Sequence, residues 1–211
     1  RERIITEYYH VKERLDEKVP TRMEFFSYMD DGIYQYCIKH AKENPFRRYL
    51  DFLHGLGELS EEEEVLYGGI GREFLSLIET TDMQKVYKMP VLYSFYNHGK
   101  LRLEVTDGEV LESWKEFFDT GNNWKDFSDG ISLEEYRQMT DKQHLNKAKT
   151  MPIKFLKASG KNFFVGKEGY AIAIREDLRE WVGNEALKSH MKDILEYRTM
   201  EYYRRRYLEK P

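Results

Sequence analysis

KQHLNKAKTMPIKFLKASGKNFFVGK, residues 142–167, decides how this chain reads. These 26 residues contain seven lysines, Lys142, Lys147, Lys149, Lys154, Lys157, Lys161 and Lys167, and no acid. The spacing predicts a helix that ends near Lys149 and a second, short helix opened by Pro152. A proline at the first helical position gives up no hydrogen bond. Ser159-Gly160-Lys161 closes that helix, and two β-rich runs follow. Asn162-Phe163-Phe164-Val165 and Tyr170-Ala171-Ile172-Ala173-Ile174 read as strands, joined by Gly166-Lys167-Glu168-Gly169 into a hairpin. Residues 133–165 then have the order of a helix-turn-helix with a β-hairpin wing.

Working outward, the first 85 residues read as helices. Pro20 and Thr21 open a run through Phe25, Tyr28, Met29, Ile33, Tyr36 and Cys37, close to the spacing of one buried helix face. Asn44-Pro45 starts another helix, which Gly55 and Gly57 end. Ser60 followed by Glu63 is a capping box, and the acids at 61–64 suit the positive end of a helix dipole. Beyond Val86 the texture changes. Lys100 to Val105 alternates strictly, so Leu101, Leu103 and Val105 face one side of a half-buried strand. Ser132 with Glu135 caps a further helix, and Asn184 caps a last one running to about Leu208. Met89-Pro90-Val91 leading to Gly99-Lys100 echoes Met151-Pro152-Ile153 leading to Gly160-Lys161. Each echo then enters β-type sequence and afterwards a helix. The expected fold is α+β, mostly α: a helical subdomain at 1–86, then a winged-helix-like α+β subdomain at 87–211 made of two helix–strand units and a long C-terminal helix.

A hydrophobic share of 40% with 15% aromatics is ample for a core and argues against disorder, even at 34% charged residues. No apolar run approaches the ~18 residues that span a bilayer, so no membrane is expected. One cysteine, Cys37, excludes an internal disulfide and fits a reducing, cytoplasmic compartment. The start at Arg1 suggests a piece of a longer protein. The net charge of −4 hides a split. Residues 142–211 carry 16 Lys and Arg against 9 Asp and Glu, +7, and residues 1–141 carry 18 against 29, −11. Such asymmetry can orient a protein on a polyanion, or it can balance charge inside one folded unit.

Catalytic constellations are missing from the sequence. The six histidines have no metal-ligand spacing, and one cysteine makes no thiolate zinc site. Gly99-Lys100 and Gly160-Lys161 are not phosphate loops, because Leu101 and Asn162 follow where Ser or Thr is needed. Gly69-Ile70-Gly71 lies between helices, so it reads as a helix break rather than a dinucleotide site. No enzyme, metal or cofactor is expected in this stretch, with a metal-dependent nuclease as the outlying class.

Binding chemistry is better represented. Lys154 and Lys157 share a face of the short helix, Ile153, Phe155 and Leu156 supply its buried side, and Lys161 and Lys167 flank the wing. Lysines contact phosphates as point charges and position a protein without reading bases. The competing reading is that they merely solvate a surface. Arg204, Arg205 and Arg206, beside Tyr202, Tyr203 and Tyr207, form a second basic cluster, suited either to phosphate contact or to the negative end of a helix dipole. A third surface, Glu58, Glu61, Glu62 and Glu64, would repel nucleic acid and face the basic half or a partner.

Four strings carry a resemblance: VPTRMEFFSYMDDGIY (19–34), MPVLYSFYNHGKLRLEV (89–105), MPIKFLKASGKNFFV (151–165) and HMKDILEYRTMEYYRRRY (190–207). Together they resemble the C-terminal region of bacterial DEAD/DEAH-type superfamily 2 helicases, some of them linked to restriction or phage defence. The resemblance implies a parent that hydrolyses ATP and moves on or remodels DNA. None of that family's ATPase motifs falls in these residues, so no catalytic residue carries over. The role implied is an accessory C-terminal domain that grips DNA or another nucleic acid, or docks on the N-terminal helicase motor of the same polypeptide. The competing role is a protein-interaction or scaffolding domain with no nucleic-acid contact.

Overall fold

The computed structural model describes residues 1–208. Its N-terminal helices are α1 (Glu2–Arg14), α2 (Arg22–Tyr28), α3 (Asp31–Lys39), α4 (Tyr49–Leu56), α5 (Glu61–Tyr67) and α6 (Ile70–Thr80). The apolar run from Phe25 to Cys37 is two helices, not one. Asp30 accepts the Ile33 N–H and starts α3 afresh, which breaks the run after Tyr28. Ser60 forms the capping box its spacing predicts, and Thr21, read only as opening a run, also forms one, with Glu24. Gly57 ends α4 at φ 71°, a left-handed conformation suited to glycine. The Gly69-Ile70-Gly71 break serves close packing: a Cβ at Gly69 would meet the Trp181 ring at 2.7 Å.

The remaining elements are α7 (Lys88–Tyr96), β1 (Glu104–Val105), α8 (Asp107–Asp119), α9 (Leu133–Arg137), α10 (Asp141–Ala148), α11 (Lys154–Ser159), β2 (Phe164–Val165), β3 (Ile172–Ile174) and α12 (Glu185–Tyr203). The fold is α+β and mostly α, ending in a long helix. The strands make one antiparallel sheet in the order β1-β3-β2, with Val105 opposite Ile172 and Phe164 opposite Ile174. The strand following each Gly-Lys echo thus flanks the central β3. From α7 onward the main order is helix, strand, helix, helix, strand, strand, with the first strand paired to the last. The connection from α8 to α10 is long and carries the short α9.

Two apolar cores form. One gathers Ile4, Tyr8, Phe25, Phe46, Tyr49 and Leu53 from the first helices. The other holds Phe74, Phe95, Trp114, Phe118, Phe164 and Ile194, with Leu50, Leu66 and Ile78 from before residue 86. The cores therefore do not divide at residue 86. Helix α12 ties them together, since its Tyr197 belongs to the first core and its Leu187, Ile194 and Tyr202 to the second. Asp193 of α12 accepts the Arg22 and Met23 N–H groups at the start of α2. Beside it, buried Arg22 pairs with Glu79. Among the described residues, no helix is long and apolar enough to cross a membrane.

The helix-turn-helix expected around Pro152 is corrected. No turn separates α10 from α11, because residues Lys149–Ile153 form a wide π-type turn inside one continuous helix from 141 to 159. Pro152 sits within it rather than opening a helix. A proline inside a helix lacks an N–H and clashes with the carbonyl four residues back, here that of Ala148. Widening the turn relieves that clash without ending the helix.

Candidate nucleic-acid interface

Helix 141–159 buries His144, Ala148, Pro152 and Leu156, and buried Gly160 follows it. These positions recur every four residues. An α-helix turns ~100° per residue, so each step of four overshoots a full turn by ~40°. Extended without a bulge, the face set by His144 would swing toward Met151 and Phe155. The wide turn takes back much of that drift. Pro152, Ile153 and Leu156 go inward, while Met151 is left 42% and Phe155 50% exposed. Placing Phe155 on the buried side, as periodicity suggested, is thus corrected, and the bulge is the physical reason.

The outer face carries Lys142, Asn146, Lys149, Thr150, Lys154, Lys157 and Ala158 with those two apolar side chains, and Lys161 follows just past the helix end. Lys142, Lys154, Lys157 and Lys161 are exposed and have no hydrogen bond or ion pair among the described residues. The other three lysines differ. Lys149 pairs with Asp107 at the start of α8. Lys147 donates to Ser128 Oγ at 2.8 Å and lies 4.7 Å from the Phe127 ring centroid, and burial lowers its pKa. Lys167, in the hairpin connection, donates to Glu104 Oε1 at 2.7 Å and lies over the Tyr170 ring. Glu104 also takes Arg179. Hydrogen bonds from Arg179 and then Lys167 hold the Glu104 carboxyl below the usual carboxylate range, and the same bond raises Lys167. Lys167 is therefore clipped to its own sheet.

The arginine cluster, read as suited either to phosphate contact or to the helix dipole, lies mostly against carboxylates. Arg204 pairs with Asp31 at 3.0 Å and lies over the Phe26 and Tyr34 rings. Arg206 reaches Asp126 at 3.1 Å and Asp129 at 3.2 Å. Only Arg205 is loosely held, 3.9 Å from Glu201 and more than half exposed. Asp126 organises this corner. Fully buried, it accepts the Val86 N–H and the hydroxyls of Tyr202 and Tyr207. Tyr202 is thereby tied inward, while Tyr207 stays exposed.

The acidic surface on α5 faces the start of α12 and its neighbours. Glu62 accepts the Glu185 N–H, Glu63 meets His190 at 2.7 Å, and nearby Glu58 binds Lys12 of α1. A cleft of about 770 Å³ is lined by residues of α7, α8 and α12, including Tyr93, Glu109, Glu116 and Glu196, and by none of residues 142–167. Within it Glu109 pairs with Arg102, Glu116 with His98, and Glu196 with Lys192. No cluster of His, Cys, Asp or Glu among the described residues has metal-holding geometry.

Sequence reasoning missed the exposed Met151 and Phe155 and gave Lys142 no role. The four-residue recurrence from His144 to Gly160 was the available signal for the former. Comparison with protein-family models, curated proteins and solved structures returned no match.

Proposed function

We propose that this chain is a non-catalytic module that engages nucleic acid, DNA in the first instance, through the outer face of helix 141–159. The observation that carries the reading is the set of unpaired, exposed lysines, Lys142, Lys154, Lys157 and Lys161, along and just beyond one continuous helix. A chain of net charge −4 that leaves Lys154, Lys157 and Lys161 uncompensated within seven residues of one another, among the described residues, presents a local field attractive to phosphate. The order helix–strand–helix–helix–strand–strand, with β1 against β3, supports a winged-helix-type reading. Helix 141–159 then takes the place of the helix that meets a groove, and 166–171 that of the wing. In the wider proposal this is a C-terminal accessory region of a helicase-like protein, in keeping with the four resembling strings.

The test is a salt titration of binding to duplex and single-stranded DNA. Affinity should fall linearly on a log–log plot, with slope about −0.9 per phosphate neutralised on duplex. A docking domain for a motor or another protein is the second reading, favoured by the exposed Met151 and Phe155. Absence of binding to either DNA at low salt selects it.

A further inference from the structure

Lysines on phosphate do not account for Met151 and Phe155. Both are turned outward by the wide turn at 149–153, the kind of irregularity that gathers at functional sites. Phe155 lies between Lys154 and Lys157 in sequence, Ala158 is one turn further on the same side, and all four are exposed. An anionic partner with a flat apolar surface matches that combination. The faces of paired bases are hidden in the duplex stack, so a phenyl ring on a helix reaches only base edges, such as a thymine methyl, with sugar and phosphate there. An unpaired base offers both a free face and an attached phosphate. The helix carries no arginine, and Gln143, Asn146 and the nearby Asn162 are its scant means of reading base edges. Stacking, which tolerates any base, is the contact this face is equipped to make.

We propose that Phe155 is a stacking platform for an unpaired nucleobase, so that this face prefers single-stranded or gapped nucleic acid to a continuous duplex. The proposal rests on the nucleic-acid reading above and specifies its substrate. Lys154, Lys157 and Lys161 hold the flanking phosphates, and Met151 extends the apolar floor by one turn.

The test measures fluorescence anisotropy of the full chain with a labelled oligo-dT and with a blunt duplex of equal length. Phe155→Ala, at an exposed position, should keep the far-ultraviolet circular dichroism of the parent. It should weaken oligo-dT binding by roughly 10-fold or more, the effect of losing one stacked base. Duplex affinity should stay within about two-fold, and the salt slope should not change, because phosphate contacts are untouched. Phe155→Trp should restore oligo-dT binding, and its added indole fluorescence should be quenched on binding. If Phe155→Ala leaves oligo-dT affinity intact, or weakens both probes equally, the stacking role is wrong while the phosphate-binding role stands. If the parent chain binds neither probe, both readings fall, and tight binding of a Glu-rich peptide in their place would identify an acidic protein partner.

Discussion

Lys154, Lys157 and Lys161 on one side, and Arg204, Arg205 and Arg206 on the other, are basic triplets of equal formal charge, yet the fold treats them oppositely. The lysines are exposed and form no ion pair among the described residues. Arg204 and Arg206 are bound to Asp31, Asp126 and Asp129, residues far away in sequence. Their chemistry is structural: they fasten the end of α12 to α3 and to the 126–129 loop. The difference teaches that a run of cations is a binding surface only where tertiary contacts fail to neutralise it. Longer, planar guanidinium groups beside tyrosines are better suited to such internal fastening than compact ammonium groups, which prefer water.

The sharpest break in the comparison is at Asp126. This carboxylate is fully buried and joins Val86, Tyr202, Tyr207 and Arg206. Asp126→Ala leaves the Val86 N–H and the hydroxyls of Tyr202 and Tyr207 without this acceptor, while Arg206 keeps Asp129. Each buried donor left unsatisfied costs roughly 1–3 kcal/mol, so the urea midpoint should fall steeply. A loss below about 1 kcal/mol would mean that the corner behaves like an ordinary surface. Nucleic-acid affinity of the folded fraction should not move.

The lysine triplet should respond in the reverse sense. Changing Lys154, Lys157 and Lys161 together to Glu should lower DNA affinity by roughly 100-fold or more at low salt, since three phosphate contacts become repulsions. Thermal stability should change little, because none of the three has a partner among the described residues. Arg204→Ala should do the opposite, lowering the melting temperature and sparing affinity. Equal effects of the two variants on DNA binding would erase the distinction between the triplets.

Local structure was largely legible in the sequence, and long-range pairing was not. The capping boxes at Thr21, Ser60 and Ser132, the Asn184 cap and the hairpin before β3 follow from neighbours within a few residues. The strands were legible, β1 as alternation and β2 and β3 as β-rich runs, but are shorter than those runs. Extended residues at their ends, such as Leu103, pair only in part: its carbonyl takes the Ile174 N–H outside the regular ladder. The wide turn at Pro152 escaped because a proline after a lysine-rich stretch fits a helix start as well as a helix interior. Its consequence, Phe155 outward, depends on a register shift that a single 3.6-residue period cannot express. The partners of Lys149, Lys167, Arg204 and Arg206 lie 42 to 173 residues away, beyond any windowed reading.

Lys167 falls between the two behaviours, because it is exposed yet clipped by Glu104. Glu104→Gln keeps the side chain's size and removes the charge that holds both Lys167 and Arg179. On the winged-helix reading, the freed cations should raise DNA affinity roughly three-fold and steepen the salt slope by about 0.9 per added phosphate contact. An unchanged slope would place the 166–171 connection away from the bound strand. Lowering the pH should mimic the substitution only in acid. Glu104's pKa is depressed by its two cations, so the clip persists above the ordinary carboxylate range and is lost as pH falls through the lower folded-state value.

The smallest effect belongs to His144, which seats the lysine helix from within. It is buried edge-on to the Phe127 and Tyr136 rings. Burial first, and Lys115 second, lower its pKa from the ordinary 6.5, against the opposing pull of Asp119 and Asp141. As pH drops through the ordinary value, the unfolded chain takes a proton that the folded chain refuses. Stability is therefore complete above that value and declines down to the lower folded one. A urea midpoint lower at about pH 5.5 than at about pH 7.5 is expected, with His144→Leu flattening the difference at this site. Because the imidazole packs under α10, hydrogen exchange at the acidic pH should loosen α10 before the Asp126 corner. Simultaneous loosening of both would mean that the lysine helix and the arginine corner unfold as one cooperative unit, and that their contrast is confined to the surface.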